Sequence, residues 1–305
     1  MALVLVVNAG STSLKLAVVA PDGSTTARKS LQEAAGENVA AVGHRVVHGG
    51  TRFREPTVLD SAALAAIEAL TPLAPLHNAP ALAAIREAQR LYPDVPHVAV
   101  FDTAFHATLP AEAATYAVPA RWREEWGVRR YGFHGTSVAW VAEQVRVPRL
   151  VVCHLGGGCS VTAVRDGRSV DTTMGFSPLE GVPMATRSGS VDPGALLYLL
   201  REGRLSLAAL DRALEHESGL AALGGLDDPL GFAVYTYRIA CAVGAAAVAL
   251  GGLDALAFTA GVGENRADVR EAIYGRVAFL GAEVHVVPAR EELVIAREVR
   301  ALLSL

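Results

Sequence analysis

Two copies of one short pattern, nearly half a chain apart, limit what this sequence can fold into. Val4 to Val18 reads VLVVNAGSTSLKLAV, and Leu150 to Val164 reads LVVCHLGGGCSVTAV. In each, two apolar arms rich in Val and Leu flank a turn of glycine and small polar residues, as expected of two buried strands joined in a hairpin. His154 stands where Asn8 stood and Gly156 where Gly10 stood, and both copies turn again at an Asp-Gly pair, Asp22-Gly23 and Asp166-Gly167. A duplication at this distance, each copy opening an α/β stretch, predicts two similar domains facing each other across a cleft and presenting their glycine turns to a shared polyphosphate. A turn of Gly and hydroxyl residues leaves backbone N–H groups bare to a phosphate, and Lys15 adds a point positive charge to the first copy. Of the 27 basic residues only Lys15 and Lys29 are lysine, which suggests that the compact ammonium matters in that turn.

With 305 residues, 51% of them hydrophobic and 19% charged, the chain has the composition of a globular protein and the length for two domains of about 150 residues each. A net charge of −4 and the lack of a basic run argue against a nucleic-acid surface, which needs clustered Lys and Arg. Cys153, Cys159 and Cys241 are odd in number and form no C-x-x-C pair, so neither a disulfide framework nor a zinc site is expected, and a reducing cytoplasm fits best. The N-terminal apolar run stops at Asn8, too short for a signal peptide. Ile239 to Phe258 has membrane length, but it is mostly Ala and Gly and contains Asp254, so it reads as a buried helix followed by a strand, with no membrane span.

Along the chain, Val42 to Gly50 (VGHRVVHGG) reads as a strand ending in a glycine turn. Alternation puts Arg45 and Val47 on one face and His44, Val46 and His48 on the other. His44 and His48 lack a neighbouring carboxylate or thiolate and read as structural histidines rather than metal ligands. Leu73 to Asn78 reads as a loop with Asn78 capping a helix to about Leu91. Val98 to Phe101 is a strand that delivers Asp102 to its carboxyl end, where α/β sheets bind ligands. A loop over 129–135 presents His134, and Thr136 is expected to cap a helix to about Val145. The long aperiodic segment Val170 to Gly194 carries Asp171, Pro178 and Arg187, and such segments inside compact domains are usually functional. Asp192-Pro193 starts a helix to Leu200, Ser206 one to His216, and an Ala-rich helix covers about Phe232 to Leu250. Leu253 to Thr259 reads as a strand that breaks at AGVGEN, where Asn265 is expected to cap the next helix and backbone N–H groups are aimed at an anion. A last strand, Glu283 to Val287, precedes a helix from Arg290 to Leu303 that begins with Glu291.

Ten ordered blocks, NAGSTSLK, GHRVVHGG, LAPLHN, FDTAFH, RRYGFHGTS, HLGGG, VDTTMGFSPLEG, ATRSG, FTAGVGEN and EELVIA, together resemble the acetate kinases and their propionate and butyrate kinase relatives over nearly the whole chain. The resemblance implies an α/β fold of two duplicated RNase H-like domains, of the actin, hexokinase and Hsp70 type. It implies a cytoplasmic homodimer that transfers the γ-phosphoryl of ATP to a short carboxylate, with Mg2+ or Mn2+, to give an acyl phosphate. On this resemblance residues 1–148, completed by the helix 290–305, form the acyl-substrate domain and residues 149–289 the nucleotide domain.

The same resemblance assigns roles. Arg45 would hold the acyl carboxylate, with Val47, Leu76, Phe133 and Pro178 lining its methyl pocket and Asp102 positioning the substrate. Arg187 and His134 would stabilise the transferring phosphoryl group. Ser11, Ser13 and Lys15, the run His154, Leu155, Gly156, Gly157 and Gly158, and the run Gly261, Val262, Gly263, Glu264 and Asn265 would hold the nucleotide. Asn8 and Glu291 would bind the metal. The chain departs from the family pattern at Val138, usually His, at Gly157, usually Asn, and at Ser190, usually Asp. It is also shorter after the first hairpin, and the adenine-side segment is reduced to Leu226-Asp227-Asp228-Pro229. That loss leaves two other readings open: a kinase of the same fold with a larger acid or pyrophosphate as substrate, and a non-catalytic nucleotide sensor.

Overall fold

A computed structural model describes residues 2–10 and 14–305; Ser11 and Ser13 of the first turn lie outside the described residues. The chain divides into two compact units, one of residues 1–107, 133–140 and 290–305, the other of residues 108–132 and 141–289.

The first unit is built on β1 (Val4–Ala9), β2 (Leu14–Val19), β3 (Thr25–Arg28), β4 (Ala41–Val46), β5 (Thr57–Val58) and β6 (His97–Phe101), ordered β3-β2-β1-β4-β6-β5. β1 pairs antiparallel with β2 and parallel with β4, so that Asn8 has Lys15 opposite it on one side and Arg45 on the other. All six residues of β1 are buried because each face of the strand is covered by a different helix. Leu5 and Val7 pack with Ala81, Ala84 and Ala88 of the helix Pro75–Leu91, while Val4 and Val6 pack with Ile295, Ala296 and Val299 of the helix Glu291–Leu303. Burial on both faces is why the arm reads as one continuous apolar run and not as an alternation, each such side chain contributing about 2 kcal/mol. The last helix comes closest at Gly43, where a Cβ would lie 2.8 Å from Val299 Cγ2 and 2.9 Å from Ile295 Cγ2. Glycine at this point of β4 lets the helix down onto the sheet and so seats Glu291 at its first turn.

The second unit repeats the scheme with β7 (Arg149–Leu155), β8 (Cys159–Arg165), β9 (Arg168–Thr172), β10 (Ala255–Thr259) and β11 (Glu283–Val286), ordered β11-β10-β7-β8-β9. β7, β8 and β9 form an antiparallel meander and β10 and β11 add parallel to β7, as β4 and β6 do to β1. This is the RNase H-like strand order, present twice. His154 faces Ser160 and Thr259 across the ladders, the positions that Lys15 and Arg45 hold around Asn8. The helix Pro229–Leu250 is long and apolar enough to cross a membrane by length and composition, but it buries Tyr235, Ile239, Val243, Ala246 and Leu250 and packs on β7, β8 and β9, as a core helix does.

Four local expectations differ from the structure. The boundary at 148 does not coincide with the division into units, because segments 108–132 and 141–148 group with the second unit. Thr108 Oγ1 donates to Ser169 O at 2.8 Å, Tyr131 N to Gly175 O at 2.9 Å, and Asp166 N to Pro148 O at 2.9 Å. The stretch read as a loop before Asn78 is a 3-10 turn, Thr71–Leu73, followed by a helix that starts at Pro75. Asn78 therefore lies inside the helix and does not cap it; its amide accepts from His48 N at 3.1 Å and donates to His48 O at 3.0 Å, closing off a buried backbone segment that no strand reaches. Thr136 likewise lies within the helix Gly135–Gln144, and its hydroxyl is spent on Asp102. AGVGEN is itself a short helix, Ala260–Asn265, and Asn265 Nδ2 donates to Gly261 O at 2.8 Å, so the next helix, Ala267–Val277, begins at Arg266 without a side-chain cap. Asp192 and Ser206 cap as expected, accepting from Gly194 N and Ala209 N.

Candidate active site

Arg45 is the centre of the first unit's site. It lies at the carboxyl end of β4, and its Nε reaches both oxygens of Asp102 at 3.0 and 3.1 Å while Nη2 closes the fork on Oδ2. Its Nη1 donates to Asn8 Oδ1 at 3.2 Å, and Asn8 Nδ2 donates in turn to Glu291 Oε2 at 2.7 Å. Burial opposes the Arg45 charge, but Asp102 and Glu291 more than offset it and raise its pKa, so the guanidinium stays charged. Asp102 is fully buried at the end of β6, and Thr136 Oγ1 donates to its Oδ1 at 2.9 Å. A buried pair held by two further hydrogen bonds is rigid, the condition for a charge that must meet a ligand in one place.

The loop before Thr136 is shaped by backbone conformation. His134 has φ +59, a left-handed conformation uncommon outside glycine, and is half-buried. At Gly135 a Cβ would collide with Asp102 O and lie 2.8 Å from Phe105 Cβ, so only glycine lets this helix start against Asp102. His106 donates from Nε2 to Phe133 O at 2.9 Å, and burial pushes its pKa down to about 4, which keeps it neutral. A left-handed backbone at a residue other than glycine points to a functional position for His134.

Of the residues the resemblance assigns to the acyl pocket, Val47 and Phe133 are buried and Leu76 is partly exposed. β4 ends at Val46, so the alternation that set Val47 on the face of Arg45 does not run as far as Val47. The His48 ring meets Phe133 edge-on at 5.4 Å, its Nδ1 accepts from Gly50 N at 3.0 Å, and Asn78 clasps its backbone. His44 instead pairs with His97, Nε2 to Nδ1 at 2.9 Å, and burial lowers both pKa values. Both histidines are structural in this setting. Lys15 is exposed on β2 opposite Asn8.

In the second unit, His154 and Leu155 end β7 and are buried, and Gly156 N donates to Gly158 O at 3.0 Å to close the turn. Beside Gly157 there is open space where a side chain would stand, and its carbonyl accepts from Ala185 N at 3.2 Å. Gly261 is equally open, whereas a Cβ at Gly263 would meet the backbone of Phe258 and Cys153. The carbonyl of Val262 accepts from Arg266 N, and Glu264 Oε1 accepts from Ala289 N at 2.9 Å. The side chains of Glu264 and Asn265 are thus occupied by the fold, leaving backbone as the face this turn offers a ligand. Arg270 Nη1 holds the carbonyls of Gly263 and Glu264 at 3.0 and 2.9 Å, a support that no local pattern signals.

Arg187 is largely buried; its Nε pairs with Glu215 Oε2 at 3.2 Å, and Nη1 donates to Pro178 O at 3.2 Å. Burial lowers its pKa, with Glu215 opposing that shift. Arg187 lies in an irregular segment and Glu215 on the helix Leu207–His216, so the pair was not legible. Of the departures from the family pattern, Val138 is fully buried and Ser190 Oγ accepts from Gly181 N at 3.1 Å.

A family model described as the acetokinase family matches residues 23–298. The chain belongs to that family. This acetokinase is 46% identical to the acetate kinase of Deinococcus deserti, over 88% of this chain and 79% of that protein. The crystal structure of a propionate kinase from Francisella tularensis superposes with a TM-score of 0.91 at 32% identity, covering 98% of this chain and 99% of that one. The Porphyromonas gingivalis acetate kinase gives 0.84 at 30% identity, covering 99% and 100%. The duplicated sheets are those of this family's fold.

Proposed function

We propose that this acetokinase transfers the γ-phosphoryl of ATP to acetate or a similar short-chain carboxylate, reversibly and by direct in-line displacement, giving an acyl phosphate and ADP. The observation that carries this reading is the Arg45 guanidinium, held charged by Asp102, Asn8 and the nearby Glu291 at the carboxyl ends of β4 and β6. A fixed guanidinium matches the planar, two-oxygen geometry of a carboxylate acceptor. A short-chain carboxylate is already ionised near neutral pH, so its oxygen can attack phosphorus without a general base. Both oxygens of Asp102 are spent on Arg45 and Thr136, which makes it the anchor of the acceptor site and not a proton acceptor. As the new O–P bond forms and the bond to the β-phosphate bridging oxygen breaks, charge spreads over the equatorial oxygens; Arg187 and His134 are the groups to stabilise it. Val47, Leu76 and Phe133 are the first unit's candidates to meet the acyl chain.

Glu291 fits a magnesium site as the carboxylate that is a usual protein share for an ion that keeps waters and takes phosphate oxygens; the Asn8 oxygen accepts from Arg45 and its Nδ2 donates to Glu291, so Asn8 would orient that carboxylate or meet the ion through water. The ion, when bound, neutralises charge on the triphosphate. Lys15, the glycines of 156–158 and the backbone of 261–265 hold the phosphates. A hydroxamate assay with acetate, propionate and butyrate against ATP, GTP and pyrophosphate tests the reading. Activity is expected with ATP and to fall by at least a hundredfold in Arg45→Ala, since loss of one preorganised charge costs on the order of 3 kcal/mol. Acyl phosphate formation undiminished in Arg45→Ala, or absent with every acid and donor, removes it.

The chain acts as a homodimer in the cytoplasm. Leu230, Tyr237 and Val248 are 62%, 49% and 82% exposed on the helix Pro229–Leu250. Spacings of 7 and 11 residues put them on one face, opposite the face buried on the sheet, and an apolar stripe of this kind asks for a partner. Sedimentation should show a dimer that Val248→Glu weakens; a monomer at micromolar concentration would rule the pairing out.

A further inference from the structure

The second unit contains a pocket of about 330 Å3 that shares no residue with the nucleotide turns or with Arg187. It lies between the edge of the sheet at β9 and the helix Pro229–Leu250, where Ala242, Ala245 and Ala246 leave the space that larger side chains would fill. Four charged residues face it, and they divide into two kinds. Arg130 and Glu180 neutralise each other at 3.0 Å, with Arg130 also held by the carbonyls of Thr172 and Thr173 at 2.9 and 3.0 Å and Glu180 by the Tyr116 hydroxyl. They form a wall with no charge to spare. Arg238 and Asp171 are different. Among the described residues Arg238 makes no hydrogen bond or ion pair, and Asp171 accepts only from the backbone of its own neighbour, Thr172, at 2.8 Å. Burial raises the Asp171 pKa, against the Thr172 N–H and the charge of Arg130, which lower it. The two groups do not pair with each other, although they line one pocket. Asp171 is partly buried and Arg238 is exposed on its helix, so an acceptor for a cation and a fork for an anion line one pocket without meeting each other.

We propose that this pocket is a binding site for a small zwitterion of the amino-acid class, its carboxylate on Arg238 and its ammonium on Asp171. Arg238 offers the planar fork suited to a carboxylate, Asp171 accepts from an ammonium, and Thr173 and Ser190 supply hydroxyls beside the path between them. The volume of about 330 Å3 holds an amino acid with a side chain. The site is independent of the acceptor and nucleotide sites, so the proposal stands or falls apart from the kinase reading.

The test is calorimetric titration of the full chain with each of the twenty proteinogenic amino acids, with the amide of each binder, which lacks the carboxylate, and with its deaminated acid, which lacks the ammonium. At least one amino acid is expected to bind, its amide and deaminated acid at least tenfold more weakly, and Arg238→Gln and Asp171→Asn each to weaken it at least tenfold. Arg238 is on the exposed side of its helix, so Arg238→Gln keeps the test valid if Asp171→Asn does not fold. No binding by any amino acid overturns the proposal, as does binding unaffected by Arg238→Gln. Equal binding of the deaminated acid also overturns it, because the pocket would then be an anion site.

Discussion

Thr136 shows what the structure adds at the scale of one residue. Read locally, a threonine after His134-Gly135 is a helix cap; in the fold its hydroxyl is 2.9 Å from Asp102 Oδ1, and Asp102 in turn fixes Arg45. Thr136 is therefore a positioning residue that acts through Asp102. Thr136→Val keeps the shape and removes the donor, leaving a buried carboxylate oxygen short of one partner at a cost of about 1–3 kcal/mol. The expected result is a KM for the carboxylate raised roughly tenfold or more with KM for ATP unchanged, and recovery in Thr136→Ser, which restores the hydroxyl. A purely structural role would lower stability in Thr136→Val without separating the two KM values, and steady-state kinetics beside a melting curve distinguish the outcomes. Asn78 and Glu215 were illegible for the same reason as Thr136. Their partners, His48 and Arg187, are brought to them by the fold, and a sequence window carries no trace of such a pairing. Asp102 could be singled out by its place at a strand's carboxyl end, where ligand sites collect, whereas Arg45 and Glu291 stand out only through the family resemblance.

At the scale of elements, the strands were legible where burial writes itself into local pattern and the helix starts where a side chain does. The arms of both hairpins, and the caps at Asp192 and Ser206, needed no partner from afar to be read. The start of the helix at Pro75, three residues before the expected one, and the short helix at Ala260 were not legible because their first turns lack a capping side chain. One element has a measurable pH signature. The turn Asp102–Thr108 carries His106, buried against the Phe133 carbonyl with its pKa lowered to about 4, and β4 and β6 carry His44 and His97, lowered likewise. A depressed pKa means that the unfolded chain takes up the proton first. The stability these residues contribute is thus complete above about pH 6.5 and is lost as pH falls towards 4. Between pH 7 and 5 His106 alone should cost about 2 kcal/mol of unfolding free energy. Urea unfolding at the two pH values is expected to show a smaller loss in His106→Gln, which keeps a donor for Phe133 O. An identical loss in both proteins would mean that His106 is protonated in the fold.

At the scale of the whole molecule, the duplication has a consequence for nucleotide choice. Each unit contributes a strand-hairpin turn, and in the second the bare backbone at Gly157 and Gly261 is available to phosphates whatever base is attached. A base is selected only where polar groups would be left unpaired by the wrong one. The shortened segment 221–229 holds two charged candidates, Asp227 and Asp228, and the fold uses the second. Asp228 accepts from Leu230 N and Gly231 N as the cap of the long helix, and Asp227 lies 3.4 Å from Arg266, which is itself engaged with Asp268. With Asp228 spent on the cap, the exposed Asp227 is the one charged side chain this segment has left to offer adenine. ATP and GTP are therefore expected to be used within about tenfold of each other in kcat/KM, a difference of roughly 1.4 kcal/mol. Steady-state kinetics with each triphosphate at fixed Mg2+ and acetate measures it. A preference for ATP above a hundredfold would mean that groups outside 221–229 read the base, and that shortening this segment has not loosened the site.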